Sequence, residues 1–199
     1  MTNTDTRETL AAAYAALLRE LFGEATPQAV PGEGPHHARL MLIGEAPGEQ
    51  EAQEGRPFVG RAGKNLDRFL TLAALEREEI YITNVVKFRP TRMGKRGKPV
   101  NRTPTDEEIA RFRPLLFREI RMVQPGLIVT LGNVPLRAVT GGRTGVGDVH
   151  GRLIEGGAEG IPVFALYHPA SILYNRSLAA VYEQDVQRLG ELCTKVAEM

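Results

Sequence analysis

Three side chains that can hold water or bind a polar ligand follow short apolar segments of the chain. Glu45, Asn84 and His168 each come directly or almost directly after a run of residues typical of a buried strand. A carboxylate accepts hydrogen bonds, a carboxamide donates and accepts them, and a neutral imidazole donates through one nitrogen and accepts through the other. Because ligands bind beyond the carboxyl ends of the strands in an open α/β sheet, we expect the three groups to meet in one site.

The segment Gly44-Glu45-Ala46-Pro47-Gly48 predicts a tight loop that can approach a ligand closely, because glycine and proline end the preceding strand. The later segment 58–63 supplies one aromatic residue, Phe58, and leads into apolar residues with the spacing of an amphipathic helix. An ordinary connection between a strand and a helix is the alternative for the short turn. The full pattern GEAPGEQEAQEGRPFVGRAGKNLD is more specific and favours a site-bearing unit.

The elements that must position these residues alternate along the chain. Strands are predicted at 39–43, 80–83, 126–131 and 162–166, with an edge strand at 152–155. Helices are predicted at 6–22, after 63, from the segment 103–108 to 123, from 133 to 139, and at 178–196. The alternation predicts an α/β fold, a single-domain three-layer α/β/α sandwich with a central, mostly parallel sheet. We expect an N-terminal helix and connector at 1–37 and the main domain at 38–199, forming one globular unit.

Composition excludes several classes of protein. With 199 residues, 42% of them hydrophobic and 25% charged, the chain is large enough for one proper core. Its apolar runs are too short to cross a membrane, and its N-terminus lacks the basic-then-apolar order of a secretion signal. We therefore expect a cytoplasmic monomer with no membrane partner. The single cysteine, Cys193, excludes an intramolecular disulfide and a four-thiolate metal or iron–sulfur site built from this chain alone.

Positive charge is concentrated in one stretch, although the formal net charge is only +1. Between 87 and 102 there are seven basic residues and no acidic one: Lys87, Arg89, Arg92, Lys95, Arg96, Lys98 and Arg102. Glycines and prolines interrupt the stretch, which predicts a loop. A solvated surface loop is one interpretation and a phosphate-contacting arm is the other. Its position after a strand that should lie beside the glycine loop favours the arm.

Three segments carry a resemblance to a known family. GEAPGEQEAQEGRPFVGRAG, YITNVVKFRP and YHPAS occur in this order and resemble the motifs of the uracil-DNA glycosylase superfamily, most closely those of its family 4. The resemblance covers about residues 39 to 190. It implies a DNA repair enzyme that flips uracil out of DNA and hydrolyses the N-glycosidic bond, leaving an abasic site.

The resemblance also implies roles for individual residues. Asn84 would bind the polar edge of the flipped uracil, Phe58 would stack on the base, and His168 would donate a hydrogen bond to the leaving base. A turn asparagine, a core aromatic and a structural histidine are the corresponding alternatives. The residues expected to bind the substrate are Gly44, Ala46, Pro47, Gly48, Phe58 and Asn84.

The group that holds the attacking water is left open by the sequence. Ala46 stands where the best-known uracil glycosylases have an aspartate, so Glu45 or Glu51 is expected to act beside His168 as a catalytic residue. Solvated loop acids are the alternative for Glu49 and Glu51. Lys64 and Lys87 could in principle attack as amines, but the resemblance implies a monofunctional hydrolase.

The segment after His168 is expected to enter the minor groove, with Leu173 or Tyr174 filling the space left by the flipped nucleotide. Arg176 and the basic stretch would contact phosphates. The residues expected to contact DNA are Lys87, Arg89, Arg92, Lys95, Arg96, Ser171, Leu173, Tyr174 and Arg176.

The chain departs from family 4 at the positions that hold a [4Fe–4S] cluster in that family. Phe88 and Phe112 stand where two of the four cysteines would be, and the N-terminal pair is missing. We therefore expect no cofactor, and we expect Phe88 and Phe112 to pack against each other or against the first helix. Two functional alternatives stay open: the same fold acting on other deaminated bases such as hypoxanthine or xanthine, and a catalytically inactive member that only binds DNA.

Overall fold

The computed structural model describes residues 5–197, with side chains described throughout this range except at 172–174, 176 and 195–197. The α-helices in this range are α1 (Arg7–Phe22), α2 (Glu49–Glu54), α3 (Arg61–Leu72), α4 (Asp106–Val123), α5 (Asn133–Thr140), α6 (Val146–Val149), α7 (Pro169–Tyr174) and α8 (Ala179–Ala197). The strands are β1 (Leu40–Gly44), β2 (Ile80–Asn84), β3 (Thr91–Met93), β4 (Pro99–Asn101), β5 (Leu127–Leu131), β6 (Leu153–Ile154) and β7 (Val163–Leu166). Short 3₁₀ turns lie at Gly23–Ala25, Arg77–Glu79, Ala158–Gly160 and Arg176–Leu178.

Five of the strands form one sheet in the order β2-β1-β5-β7-β6. The first four are parallel to one another, and β6 is the antiparallel edge strand. Every residue of β1, β2, β5 and β7 is buried, which explains their continuous apolar character, since strands covered on both faces do not alternate with polar residues. The fold class predicted from the sequence is confirmed, including the edge strand.

The sheet separates two apolar cores. One contains α1, α4 and α5, with Tyr14, Phe112 and Leu116 among its buried side chains. The other contains α3 and α8, where the rings of Phe69 and Tyr182 lie 4.2 Å apart. The N-terminal helix therefore contributes to the same core as the sheet. No helix within residues 5–197 has the length and apolar character needed to cross a membrane.

The start of α4 agrees with the sequence prediction because its cap is strong. The Thr105 hydroxyl accepts a hydrogen bond from the Glu108 amide at 3.2 Å, and the Glu108 carboxylate accepts one from the Thr105 amide at 2.7 Å. This reciprocal capping box satisfies two amides that the first turn leaves free. The helix then ends at Val123, as predicted.

The basic stretch is not the loop that the sequence suggested. Its middle forms a hairpin in which β3 pairs with β4 in antiparallel register, Thr91 opposite Asn101. All six strand residues are exposed, so the alternating apolar pattern that would have identified the strands is missing. The turn uses Gly97 in the left-handed region, at a φ of +69°, which glycine adopts without strain.

Two short helices beside the glycine loop and the histidine segment were also missed. Both α2 and α7 have six residues, too few to show a helical apolar period. In α2, the cap is Gly48 at one end and Gly55, in the left-handed region, at the other. Glu49 and Glu51 thus belong to a helix and not to an open loop.

The predicted contact between Phe88 and Phe112 is confirmed. Their ring centroids lie 5.7 Å apart, and Phe112 is completely buried. Phe22 of α1 contacts Phe88 edge-on at 4.9 Å, and Tyr14 of α1 stacks on Phe112 at 6.2 Å. These four aromatic residues, called here the aromatic cluster, join α1, α4 and the segment after β2 through apolar contact.

Candidate active site

A cleft of about 410 Å³ opens at the carboxyl edge of the sheet. Ala46 and Gly48 of the glycine loop line it together with Phe58, Asn84 and His168. These residues come from four separate segments, and the parallel order of β2, β1 and β7 brings their ends to the same edge. The structure therefore places the asparagine, the aromatic ring and the imidazole around one ligand-sized space.

Asn84 lies at the floor of the cleft, with only 2% of its surface exposed. It stands opposite Gly44 in the parallel register of β1 and β2. A Cβ atom on Gly44 would lie 2.4 Å from Asn84 Oδ1 and 2.5 Å from Phe58 Cζ, closer than atoms can approach. The absence of a side chain on Gly44 thus allows Asn84 and the Phe58 ring to lie together in the wall of the cleft.

Phe58 has an unusual backbone conformation for its residue type. Its φ is +54°, in the left-handed region that a bulky residue rarely adopts. The α3 residue Gly63 lies against its carbonyl, where a Cβ atom would come within 1.8 Å of the oxygen. The strained turn and the glycine together direct the Phe58 ring towards Gly44 and the cleft.

Glu51 is the carboxylate that joins the two loops of the cleft. It is 8% exposed, and its Oε2 accepts a hydrogen bond from the Gly48 amide at 3.0 Å. Its Oε1 accepts a hydrogen bond from the Gly60 amide at 2.7 Å. Cβ atoms on Gly48 and Gly60 would lie 2.6 and 2.9 Å from these oxygens, so both glycines are needed for the contact. Glu51 is therefore not a solvated loop acid, and each oxygen keeps a free lone pair for a further donor.

His168 is held as a neutral hydrogen-bond donor. Its Nδ1 accepts a hydrogen bond from the Ala170 amide at 3.1 Å, which leaves the proton on Nε2. Burial of the ring lowers the pKa of His168 to about 4, and the nearby Glu51 carboxylate acts in the opposite direction. At neutral pH the imidazole is uncharged and presents an N–H group.

The other acids near the cleft are placed differently. Glu45 is half-buried, and it is not one of the described residues that line the cleft. Burial raises the pKa of Glu45, and a hydrogen bond with the Thr103 side chain opposes that shift. Glu49 lines the mouth of the cleft and pairs with Arg89 at 3.0 Å. Of the two suggested water-holding acids, only Glu51 therefore lines the cleft.

The prediction that Lys87 contacts DNA is wrong. The side chain is completely buried, and its Nζ lies 2.8 Å from Glu119 Oε2 inside the protein. A buried ammonium cannot reach a phosphate on the surface, and Lys87 does not line the cleft as an attacking amine would. Charge alone suggested a surface position, because buried lysines are rare.

Several other basic residues of the stretch lie on the hairpin or at the mouth of the cleft. Arg92, Lys95 and Arg96 are exposed on the hairpin, and a second open cavity of about 500 Å³ lies between the hairpin and Glu49. Arg89 is half-buried and donates a hydrogen bond to Asn101 Oδ1 at 2.7 Å. A basic surface thus continues outward from the mouth of the cleft.

The segment after His168 forms α7. Ser171 is half-buried there, and its amide donates a hydrogen bond to the His168 carbonyl at 2.8 Å. The side chains of Leu173, Tyr174 and Arg176 lie outside those that the structure describes. The proposed insertion into the groove stays a prediction.

Asn101 and Arg61 are among the cleft-lining residues that sequence reasoning missed. Asn101 lines the cleft from the end of β4, and Arg61 lines it from the start of α3. Arg61 stands directly after the glycine of the VGRAG segment, a position that could have been recognised as a helix start facing the site. Asn101 lies in a short polar strand, and no sequence pattern marks it.

Comparisons with known proteins identify a family and several relatives of this chain. The family model of the uracil DNA glycosylase superfamily matches residues 31–189. The type-4 uracil-DNA glycosylase of Archaeoglobus fulgidus is 39% identical over 83% of this chain and 82% of its own length. The type-4 enzyme of Sulfurisphaera tokodaii is 41% identical over 82% of this chain and 74% of its own length. That of Thermotoga maritima is 41% identical over 83% of each chain.

The bridging role of Glu51 predicts a local effect of Glu51→Gln. One side of the glutamine amide cannot accept a hydrogen bond, so the Gly48 or the Gly60 amide loses its partner. We expect that amide to exchange with solvent more readily, by the equivalent of about 1–3 kcal/mol, in hydrogen-exchange measurements. Glu54→Gln, an exposed change in the same helix α2, is the control and is expected to leave both amides protected. Unchanged protection of both amides in Glu51→Gln would contradict the bridge.

Proposed function

Because the chain belongs to the uracil DNA glycosylase superfamily, we propose that it is a DNA repair glycosylase that excises uracil. It flips the uracil out of DNA and hydrolyses the N-glycosidic bond, leaving an abasic site. The observation that carries the proposal is the cleft in which Phe58, Asn84 and His168 face the same space behind the glycine loop. Relatives that cover most of this chain are named type-4 uracil-DNA glycosylases.

Recognition of the base rests on Asn84. The carboxamide donates a hydrogen bond to uracil O4 and accepts one from uracil N3–H. Cytosine has an amino group at C4 and no N3–H, so it would leave both partners mismatched. Because Asn84 is almost completely buried, the mismatched groups could not form hydrogen bonds with water instead, which increases the free-energy cost of binding cytosine. Phe58 stacks on the face of the base and contributes affinity without selecting its edge.

Cleavage of the bond leaves negative charge on the departing uracil. The Nε2–H group of His168 donates to uracil O2 and stabilises that charge. A neutral donor suits this role, because a histidine with a pKa of about 4 is uncharged at neutral pH and carries a single N–H proton, on Nε2. His168 therefore acts through a fixed hydrogen bond.

The sugar side of the reaction needs a water molecule and a negative group. Glu51 lines the cleft, and its orientation is fixed by the Gly48 and Gly60 amides. Its remaining lone pairs accept a hydrogen bond from the attacking water, and its charge stabilises the oxocarbenium-like sugar. Glu45 lies outside the cleft lining and is the less suitable candidate.

DNA is held by contacts that do not depend on sequence. The exposed hairpin residues Arg92, Lys95 and Arg96 contact phosphates, and Arg89 does so at the mouth of the cleft. The segment 171–176 approaches the groove from the His168 side, with Leu173 or Tyr174 replacing the flipped nucleotide. We place this activity in the cytoplasm and assign it to a monomer without a membrane partner.

The residues of this chain do not fit the iron–sulfur cluster that the resemblance to family 4 implies. Such clusters are held by cysteine thiolates, and this chain has one cysteine, Cys193 in α8. The positions matched to two of the ligands hold Phe88 and Phe112, whose rings contact each other in an apolar core. We propose that the enzyme works without a cluster or any other cofactor.

Excision from a labelled oligonucleotide with one uracil tests the function. The substrate is single-stranded or has guanine or adenine opposite the uracil, and alkali cleaves the chain at abasic sites. We expect the wild type to cleave and Asn84→Ala to lose at least about 100-fold in rate, because the variant cannot bind the uracil edge. Affinity for uracil-free DNA should be unchanged in Asn84→Ala.

Absence of cleavage by both proteins would exclude uracil as the substrate. Hypoxanthine and xanthine oligonucleotides then test the wider substrate class. Binding of DNA without release of any base would identify an inactive, DNA-binding member of the superfamily.

The double variant Lys95→Ala/Arg96→Ala tests the hairpin. We expect the slope of log affinity against log salt to fall by about two, because each lost phosphate contact removes about one released counterion. The excision rate at saturating DNA should not change. Arg39→Ala is the control, since Arg39 is exposed directly before β1, at the edge of the sheet opposite the cleft. A salt slope equal to that of the wild type would exclude the hairpin from the DNA surface.

Metal analysis tests the proposal that no cluster is needed. We expect purified, active protein to contain no iron above background and to keep its excision rate after treatment with a strong iron chelator. The physical reason is that phenylalanine supplies no ligand atom at the two matched positions. Iron in proportion to protein, lost together with activity on chelation, would overturn the proposal.

A further inference from the structure

Lys87 is a completely buried lysine, and its surroundings account for all three of its protons. Its Nζ donates to Thr83 Oγ1 at 2.5 Å, to the Asn84 carbonyl oxygen at 2.5 Å and to Glu119 Oε2 at 2.8 Å. Transfer of a charge into the protein interior costs several kcal/mol unless it is paired and hydrogen-bonded. The site around Lys87 is therefore built for an ammonium group.

Glu119 of α4 is held from three further directions. Its Oε2 accepts a hydrogen bond from the Tyr14 hydroxyl of α1 at 3.0 Å, and its Oε1 accepts one from the Tyr81 hydroxyl of β2 at 2.9 Å. The Thr83 hydroxyl lies 3.2 Å from Oε1. Both ions are thus fixed in position by α1, β2 and α4, and neither can shift without breaking several bonds.

The network reaches the cleft through the backbone of Asn84. Lys87 holds the carbonyl of this residue, while the two amides that follow bond to the glycine loop. Val85 donates to the Gly44 carbonyl at 2.9 Å, and Val86 donates to the Glu45 carbonyl at 3.3 Å. The peptide unit after Asn84 is therefore fixed on one side by the ammonium and on the other by the loop that lines the cleft.

A purely stabilising role does not account for this arrangement. Replacement of a buried ion pair by apolar residues of similar volume is often neutral or stabilising, so the pair is a poor way to gain stability. Hydrogen bonds from an ammonium do, however, fix direction, which apolar contacts do not. The direction of the Asn84 carboxamide decides whether both of its hydrogen bonds to a flipped base can form.

We propose that Lys87 and Glu119 are positioning residues that fix the Asn84 peptide and thereby aim its carboxamide at the base. This inference rests on the proposed function of uracil excision. Neither residue touches the substrate, because neither lines the cleft. Both act through Asn84.

The variant Lys87→Met/Glu119→Gln tests the proposal without leaving an unpaired buried charge. Methionine keeps most of the side-chain volume of lysine. Glutamine keeps an acceptor oxygen for one of the two tyrosine hydroxyls and offers its NH2 group to the oxygen of the other. We expect the double variant to fold, and we expect its single-turnover rate of uracil excision to fall by about 10- to 100-fold, because the carboxamide is no longer held in one direction. Its affinity for uracil-free DNA should equal that of the wild type, and inhibition by free uracil should weaken.

Tyr14→Phe is the matched control. It removes one hydrogen bond to Glu119 Oε2 and lowers stability, but it leaves the bonds from Lys87 to Asn84 and Glu119 in place. Thermal unfolding of each variant measures the stability change, and we expect the excision rate of Tyr14→Phe to stay near that of the wild type. The comparison of these variants thus distinguishes a loss of excision rate from a loss of stability.

Glu119→Gln alone is the second variant, for use if the double variant does not fold. It changes one atom and is expected to lower the same rate constant in the same direction. The proposal is wrong if a folded double variant, or a folded Glu119→Gln, excises uracil within about threefold of the wild-type rate. It is also wrong if Tyr14→Phe loses as much activity as they do. Failure of the wild type to excise uracil in the same assay would instead overturn the proposed function.

Discussion

The buried pair of Lys87 and Glu119 constrains the arrangement of much of this protein. An ammonium without contact with water persists only if every proton has an acceptor, and here the acceptors come from the end of β2 and from α4. Burial lowers the pKa of Lys87, whereas the Glu119 carboxylate favours its charged form. The charged form is the one that can fill all three bonds. The N-terminal helix is part of the same constraint, because Tyr14 satisfies the carboxylate.

A second constraint is the space that glycine leaves around the cleft. Gly44, Gly48, Gly60 and Gly63 each lie where a Cβ atom would collide with Asn84, Glu51 or Phe58. The glycines of the GEAPG and VGRAG segments therefore leave room for the side chains of Asn84, Phe58 and Glu51 and, at Gly63, for the backbone of Phe58. Glu51 makes the arrangement cooperative, since its two oxygens bind amides from both segments at once. The two loops can form the cleft wall only together.

Sequence reasoning predicted the parts of this arrangement that have a periodic or positional signal. The buried parallel strands show as continuous apolar runs, and their carboxyl ends therefore located Asn84 and His168 at one edge of the sheet. Sequence reasoning failed where a charged side chain is buried in the protein. Lys87 looks like a surface residue because most lysines are exposed, and only three-dimensional contacts reveal its partners. The hairpin at Thr91–Asn101 was missed because exposed strands carry no apolar alternation, and Asn101 was missed with it.

Two sets of contacts join α1, the segment after β2 and α4. One is the aromatic cluster, and the other is the Lys87–Glu119 pair. Phe88 follows Lys87 directly in the sequence, and Phe112 lies two helical turns before Glu119 on α4. Apolar contact between the rings brings the three elements together with a few kcal/mol of stabilisation, but dispersion forces tolerate small rotations and shifts. Ligand bonds to a metal cluster would impose directions on these elements, and phenylalanine cannot. In this chain the directional part of the junction is the hydrogen-bonded ion pair, whose ammonium contacts the Tyr14 ring and donates a hydrogen bond to the Asn84 carbonyl. Alignment of the site thus depends on the polar contacts, while adhesion of the helices depends on the aromatic ones.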